Sequence, residues 1–256
     1  MNNLQSLQKM RVLNMNTLKF LAAAFMVIDH IGVIFFPFTM WWRIIGRLSM
    51  PLFAFAISEG CRYTRNKVKH FALLFVLATL CQIVYYLYDE TLYLCILVTF
   101  SLSILNIYAL QNLKKKFFED KKITQLIPAM LLFLLSVAFT ALVCNLPDVM
   151  IDYGFWGCMM PVLASLFDFR NIPVPENLQK LDCLPVRVGC MSIAVLFVAI
   201  ELAPTTPIGY FALLTIPLLL LYNGKKGKCN TKYFFYIFYP LHLVLLQGIA
   251  YLIYFL

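Results

Sequence analysis

Six side chains in this sequence have the types and spacing to do chemistry where chemistry is costly. They are Asp29, His30, Arg43, Arg47, Tyr239 and His242, and each lies in a stretch otherwise apolar enough for a bilayer. A neutral imidazole in such a setting is expensive to protonate and can act as a general base. An ionisable residue inside a membrane span is a functional hypothesis by default. His30 follows Lys19 by eleven residues. In a helix that spacing brings the two within about 20° of one face and separates them by about 16 Å along the axis. The face between them carries Ala22, Ala23 and Met26, which leaves room for a ligand or for close packing of a neighbouring helix. Asp29 points about 100° away from His30, so it addresses a different partner. Arg43 and Arg47 are four residues apart, the spacing of one helix face. Arg43 can snorkel to the surface beside Trp41 and Trp42. Arg47, one turn deeper, is expected to face the interior with an acidic partner. An Asp29 pair with Arg43 or Arg47 would hold the first two spans together, orient His30, or do both.

The elements that must position these residues follow from composition. The chain has 256 residues, 62% hydrophobic and 13% charged, where a soluble domain carries about 25% charged residues. It reads as an all-α, polytopic membrane helix bundle in one integral membrane domain, 1–256. A span needs about 20 mostly apolar residues, and nine segments approach that: 17–36, 41–60, 71–88, 92–111, 125–143, 154–168, 188–203, 207–222 and 233–255. The sixth and seventh are short. No cleavable signal peptide is expected from the polar first fifteen residues. Cys61, Cys81, Cys95, Cys144, Cys158 and Cys190 lie in or beside apolar segments without metal-ligand spacing, so they read as small apolar fillers and no metal site is expected.

Charge sets the orientation. Lys9, Arg11 and Lys19 precede or begin the first span. Basic groups then follow spans two (Arg62, Arg65, Lys67, Lys69), four (Lys114, Lys115, Lys116, Lys121, Lys122), six (Arg170, Lys180, Arg187) and eight (Lys225, Lys226, Lys228, Lys232). The alternate loops, "DET", "NLPDVMID" and "ELAPTTP", are acidic or neutral. A cytoplasmic N-terminus puts every basic group inside. The net charge of +9 is then topology, with anionic lipid as a secondary attraction, and nucleic acid is excluded as a partner.

Other residues admit two readings each. Glu59 and Arg62 are three apart at the inner end of span two. They form a helix-end ion pair, or Arg62, Arg65, Lys67 and Lys69 make a basic mouth for a phosphorylated cofactor. Asp152 and Tyr153, ahead of Gly154 and Gly157, are an interface belt with a helix cap, or supply an acid to Arg43 or Arg47. Pro240 frees backbone carbonyls near Tyr239 and His242. His242 is a cavity residue or a single helix-to-helix hydrogen bond.

The runs "LKFLAAAFMVIDHIG", "WWRIIGRLSMPLFAFAISEGCRYTRN", "DYGFWG" and "FYPLHLVLL", in that order and across nearly the whole chain, resemble the TraX family of membrane proteins. That family is named for a conjugation protein that acetylates the N-terminus of F-pilin with acetyl-CoA. A second, weaker resemblance is to membrane acyltransferases that O-acetylate surface polysaccharides, whose first span carries Arg, ten residues, then His. Lys19 and His30 have that spacing with Lys in place of Arg, which keeps the cation and loses the bidentate fork. The resemblance implies a multi-pass protein of the bacterial cytoplasmic membrane that moves an acetyl group from cytoplasmic acetyl-CoA to an outer acceptor, a pilin-like peptide, a glycan or a lipid. His30 would be the general base, and Arg43 or Arg47 would stabilise the oxyanion or hold an anionic acceptor. Asp29 and Asp152 would hold those arginines. Lys19, Arg62, Arg65 and Glu59 would line the donor's mouth, and Tyr153, Tyr239 and His242 the cavity. The alternative is a proton-coupled transporter built on the same His/Asp/Arg cluster, although no repeated pair of interrupted helices is visible.

Overall fold

A computed structural model describes residues 11–89, 92–203, 207–229 and 231–255. Lys9, the loop residues 90, 91 and 204–206, and the side chain of Lys232 lie outside the described residues. Helices account for most of it: α1 (Met15–Phe35), α2 (Met40–Gly46), α3 (Ser49–Tyr63), α4 (Lys67–Asp89), α5 (Ile96–Lys115), α6 (Ile123–Cys144), α7 (Gly154–Ala164), α8 (Glu176–Gln179), α9 (Leu184–Leu202), α10 (Thr215–Leu220) and α11 (Lys232–Phe255). A 3-10 helix, Pro207–Leu214, leads into α10. Two two-residue strands, β1 (Tyr93–Leu94) and β2 (Met150–Ile151), pair in parallel and are a small departure from all-α.

Among the described residues seven segments are long and apolar enough to cross a membrane: Met15–Phe35, Met40–Tyr63, Lys67–Leu87, Ile96–Asp120, Ile123–Cys144, Leu184–Leu202 and Tyr233–Ile253. The chain is a multi-pass membrane protein. The expected sixth and eighth spans are shorter apolar helices, Gly154–Ala164 and Pro207–Leu220. The expected second span is interrupted: α2 stops at Gly46 and α3 starts at Ser49, with Arg47 and Leu48 in the turn between.

The chain divides into two compact units, Met1–Ala56 with Ala199–Leu256, and Ile57–Val198. In the first unit α1 packs against α2 and α11, around Leu18, Ala22, Ala23, Met26, Leu52, Phe55 and Leu219. Gly46 is needed here, because a Cβ would overlap the Asp29 side chain. The start of α1 is stitched to the loop after α10. Met15 N donates to the Lys225 carbonyl (2.8 Å), Asn16 N to that of Lys226 (3.1 Å), and the Asn16 amide to that of Cys229 (2.7 Å). These bonds satisfy amide donors that a helix start leaves without partners. The loop reaches them through Gly227, whose φ of +96° suits only glycine and whose missing Cβ makes room for Asn14 and Asn16.

In the second unit α5 is the axis, with Thr99, Ile104, Asn106 and Ile107 fully buried. Its polar side chains bond along α7 and the flanking turns. Thr99 Oγ1 donates to the Asp152 carbonyl, Ser103 Oγ to that of Cys158 and Lys114 Nζ to that of Ser165. The short α7 therefore runs beside α5 from the strand-pair end to the Lys114 end.

Candidate functional site

In the first unit the candidates converge on one face of α11. Lys19 Nζ lies 5.8 Å from the Phe235 ring centroid, and the His30 and His242 rings are 5.0 Å apart at 73°. The eleven-residue spacing thus does place Lys19 and His30 against one neighbour. His30 Nδ1 is 2.8 Å from the Met26 carbonyl, and His242 Nδ1 is 3.0 Å from that of Phe238. A carbonyl only accepts, so each ring carries its proton on Nδ1 and, when neutral, its lone pair on Nε2. His242 is 5% exposed, and its Nε2 has no hydrogen-bond partner among the described residues. Phe238 stacks on it at 5.0 Å, and Tyr239 stands 5.9 Å away at 62°. Pro240, within α11, takes one N–H from the ladder beside these rings.

Asp29 finds Arg43. Arg43 Nε sits 3.4 Å from Asp29 Oδ1, an ion pair without hydrogen-bond geometry, since Oδ1 has no hydrogen-bond partner. The pair ties α1 to α2, as one sequence reading expected. The expected acidic partner of Arg47 is absent among the described residues. Arg47 follows the last residue of α2, is 8% exposed, and leaves Nε without a partner.

The second unit holds the other candidates, and their partners differ from those expected. Glu59 bonds Arg187 (Nη1 to Oε1, 2.5 Å) rather than forming the helix-end pair with Arg62. Arg62 donates to Asp168 (2.8 Å) and, with both terminal nitrogens, to Asp182 (2.6 and 3.0 Å). Arg187 also donates to the Ala164 carbonyl and Ser58 Oγ. Lys114 Nζ donates to the carbonyls of Ser165 and Asp168 (2.9 and 2.7 Å). Lys114 and Arg187, assigned by the charge pattern to the cytoplasmic side, are buried. The Arg62 guanidinium is spent on two carboxylates, so it does not fit a mouth for phosphates, whereas Arg65 is exposed.

Asp152 takes the Tyr93 hydroxyl (2.9 Å) at the strand-pair end. Burial and the Asp152 carboxylate push the Tyr93 phenol up, which keeps it a donor. Tyr153, with φ of +63°, and Gly154, with φ of +57°, turn the chain into α7.

Sequence reasoning missed three parts of this picture. Asp168 and Asp182 were overlooked, although acids in a loop otherwise marked by Arg170, Lys180 and Arg187 were a signal. The break at Arg47 had one too, because Gly46 followed by Ser49 and Pro51 is a stop and restart. The hydrogen bonds from Met15 and Asn16 bring Lys225 and Lys226 to the start of α1, one turn before Lys19, and no local pattern announced that.

Comparison with known proteins places this arrangement among relatives. A family model described as TraX protein matches residues 14–250. Over 248 residues the chain is 29% identical to the probable fimbrial assembly protein FimC, serogroup H1, of Dichelobacter nodosus, a match covering 90% of this chain and 92% of that protein. No solved structure matches.

Proposed function

Because the chain belongs to the TraX family, we propose that it is an integral membrane acyltransferase that moves an acetyl group from cytoplasmic acetyl-CoA to an acceptor at the outer side. One observation carries the reading. His30 and His242 sit 5.0 Å apart inside apolar helices, and each is fixed through Nδ1 so that Nε2 is left as the basic atom. His30 Nε2 takes the proton of an acceptor amine or hydroxyl as that group attacks the thioester carbonyl. The new C–N or C–O bond forms, the C–S bond breaks, and the proton passes to the departing thiolate. Asp29 and Arg43 fix the helix that carries His30, and the Phe238 stack fixes His242.

The donor's phosphates are drawn to the cations at the start of α1. Lys225, Lys226 and Lys228 are exposed there, and Lys19 lies about 16 Å along the helix from His30. This cluster replaces Arg62 and Glu59 in the donor role. The exposed Arg65, Lys67 and Lys69 are a second cationic face. For the acceptor, the name of the fimbrial relative favours a pilin-like peptide amine over a glycan or lipid.

We place the N-terminus in the cytoplasm and count nine crossings in the bacterial cytoplasmic membrane. Two contacts in the second unit support the alternation. The loops expected outside are joined by β1 and β2, and the segments expected inside meet at Arg62, Lys114, Asp168 and Asp182.

Labelled acetyl-CoA given to the protein in vesicles with membrane acceptors tests the reading. The wild type transfers label, and His30→Ala loses about 10²–10⁴-fold in rate while staying folded and inserted. Full activity in His30→Ala ends the mechanism. Proton-coupled solute uptake without label transfer replaces it with a transporter.

A further inference from the structure

Arg47 is the one arginine of the first unit's site without a counter-charge among the described residues. The nearest acid in the hairpin, Asp29, is engaged by Arg43 and packed under Gly46. The α1–α2 pair therefore carries two guanidinium groups against one carboxylate. Arg47 is more than nine-tenths buried, and its Nε has no acceptor. A guanidinium does not shed its proton to escape burial, as a lysine can. Where this chain buries an arginine as scaffold it supplies carboxylates: Arg62, whose Nε also lacks an acceptor, has Asp168 and Asp182 on its terminal nitrogens, and Arg187 has Glu59 together with Ser58 and a carbonyl. The contrast marks Arg47 as a residue whose partner arrives from outside the chain.

We propose that Arg47 binds an oxyanion, a phosphate or a carboxylate, whose two oxygens match its planar fork. The site lies next to the proposed base, because Gly46 touches Asp29, the neighbour of His30. A transient oxyanion of the acyl-transfer step does not meet the requirement, since it leaves the resting guanidinium unpaired. The anion is a ground-state ligand. On the acyltransfer reading above, on which this step rests, it belongs to the acceptor, which then carries a negative charge beside its nucleophile. The same chemistry is offered by a lipid headgroup phosphate and by a small soluble anion.

Thermal unfolding in neutral detergent separates these sources, with inorganic phosphate, acetate, phosphatidylglycerol and phosphatidylcholine as probes. At least one of the first three is expected to raise the Tm of the wild type by about 3 °C or more. Arg47→Met is expected to lose that response, and its anion-free Tm is expected to equal or exceed that of the wild type, because an uncompensated buried charge has been removed. A response to phosphatidylglycerol, but to neither phosphatidylcholine nor the small anions, assigns a lipid phosphate. A response to phosphate or acetate assigns a soluble ligand. The proposal is overturned if no anion raises the Tm, if Arg47→Met responds like the wild type, or if Arg47→Met and Arg47→Gln both lower the anion-free Tm. Label transfer is scored separately. An anion response without transfer keeps the site and removes the acyltransferase reading, and transfer without an anion response does the reverse.

Discussion

The two units treat their charged groups in opposite ways. In the second unit Glu59, Asp168 and Asp182 meet Arg62, Lys114 and Arg187, and every one of these side chains is bonded. In the first unit Asp29, Arg43 and Arg47 share one long ion pair, and two imidazoles face each other edge-on. Of four buried side-chain atoms without a hydrogen-bond partner among the described residues, three, on Asp29, Arg47 and His242, belong to the first unit, and the fourth is Nε of Arg62, whose terminal nitrogens meet two carboxylates. A buried polar group left unpaired costs more than a paired one contributes. A chain that gives each of six charged groups a bonded partner in one unit and leaves three groups short in the other is paying stability for a site. The satisfied cluster is scaffold, and the unsatisfied one is where ligand chemistry is expected.

The largest expected effect breaks the scaffold side of this contrast. Arg187→Met leaves the Glu59 carboxylate buried and removes the donors to Ser58 and the Ala164 carbonyl. Removing one partner of a buried pair costs about 3–5 kcal/mol, read as a loss of unfolding free energy in detergent. Pairing it with Glu59→Leu recovers most of that loss, because no lone charge remains. A single variant as stable as the wild type would place this cluster with the unsatisfied one.

A middle-sized effect probes the seam that positions the site. In Gly46→Ala the new methyl meets the Cβ and carboxylate of Asp29, which cannot both move aside without separating α1 from α2. Overpacking of this kind costs about 1–3 kcal/mol. It also displaces Asp29 from Arg43 and turns the His30 helix. Unfolding should show the modest loss, and label transfer should fall further than stability does. Equal losses in both would mean that the pair holds the helices and nothing more.

Much of this contrast was legible in the sequence, and the illegible part has a physical cause. Apolar run length found the long helices because a bilayer fixes that length. It read 154–168 and 207–222 as spans as well, where the structure has the shorter apolar helices Gly154–Ala164 and Pro207–Leu220. The Lys19–His30 face and the Asp29 partner on the next span were readable because helix geometry and short connections make them local. The partners of Glu59 and Arg62 were not readable. An i,i+3 pair within one helix was the nearest choice in sequence, but Arg187, Asp168 and Asp182 arrive from more than a hundred residues away. The positive-inside count saw Lys114 and Arg187 as charges and said nothing of their burial, since it registers side of membrane, not depth.

The smallest effect compares two polar groups of similar burial. In the second unit Ser136 Oγ donates to Asn106 Oδ1 (2.9 Å), and the Asn106 amide donates to Thr140 Oγ1 (2.7 Å). Ser136→Ala takes one donor from a network that is otherwise complete. Interhelical hydrogen bonds of this kind are worth about 0.6 kcal/mol on average in a membrane, so a loss near that size is expected in unfolding measurements. His242→Phe in the first unit removes a ring whose Nε2 has no partner and keeps the aromatic stack on Phe238. It is expected to leave stability unchanged or slightly higher, because a desolvated lone pair disappears with the imidazole. Label transfer should distinguish the two in the opposite direction, with Ser136→Ala near the wild type and His242→Phe impaired. A His242→Phe protein that loses more stability than Ser136→Ala would mean that the imidazole is held as structure, and the line between the two units would then fall elsewhere.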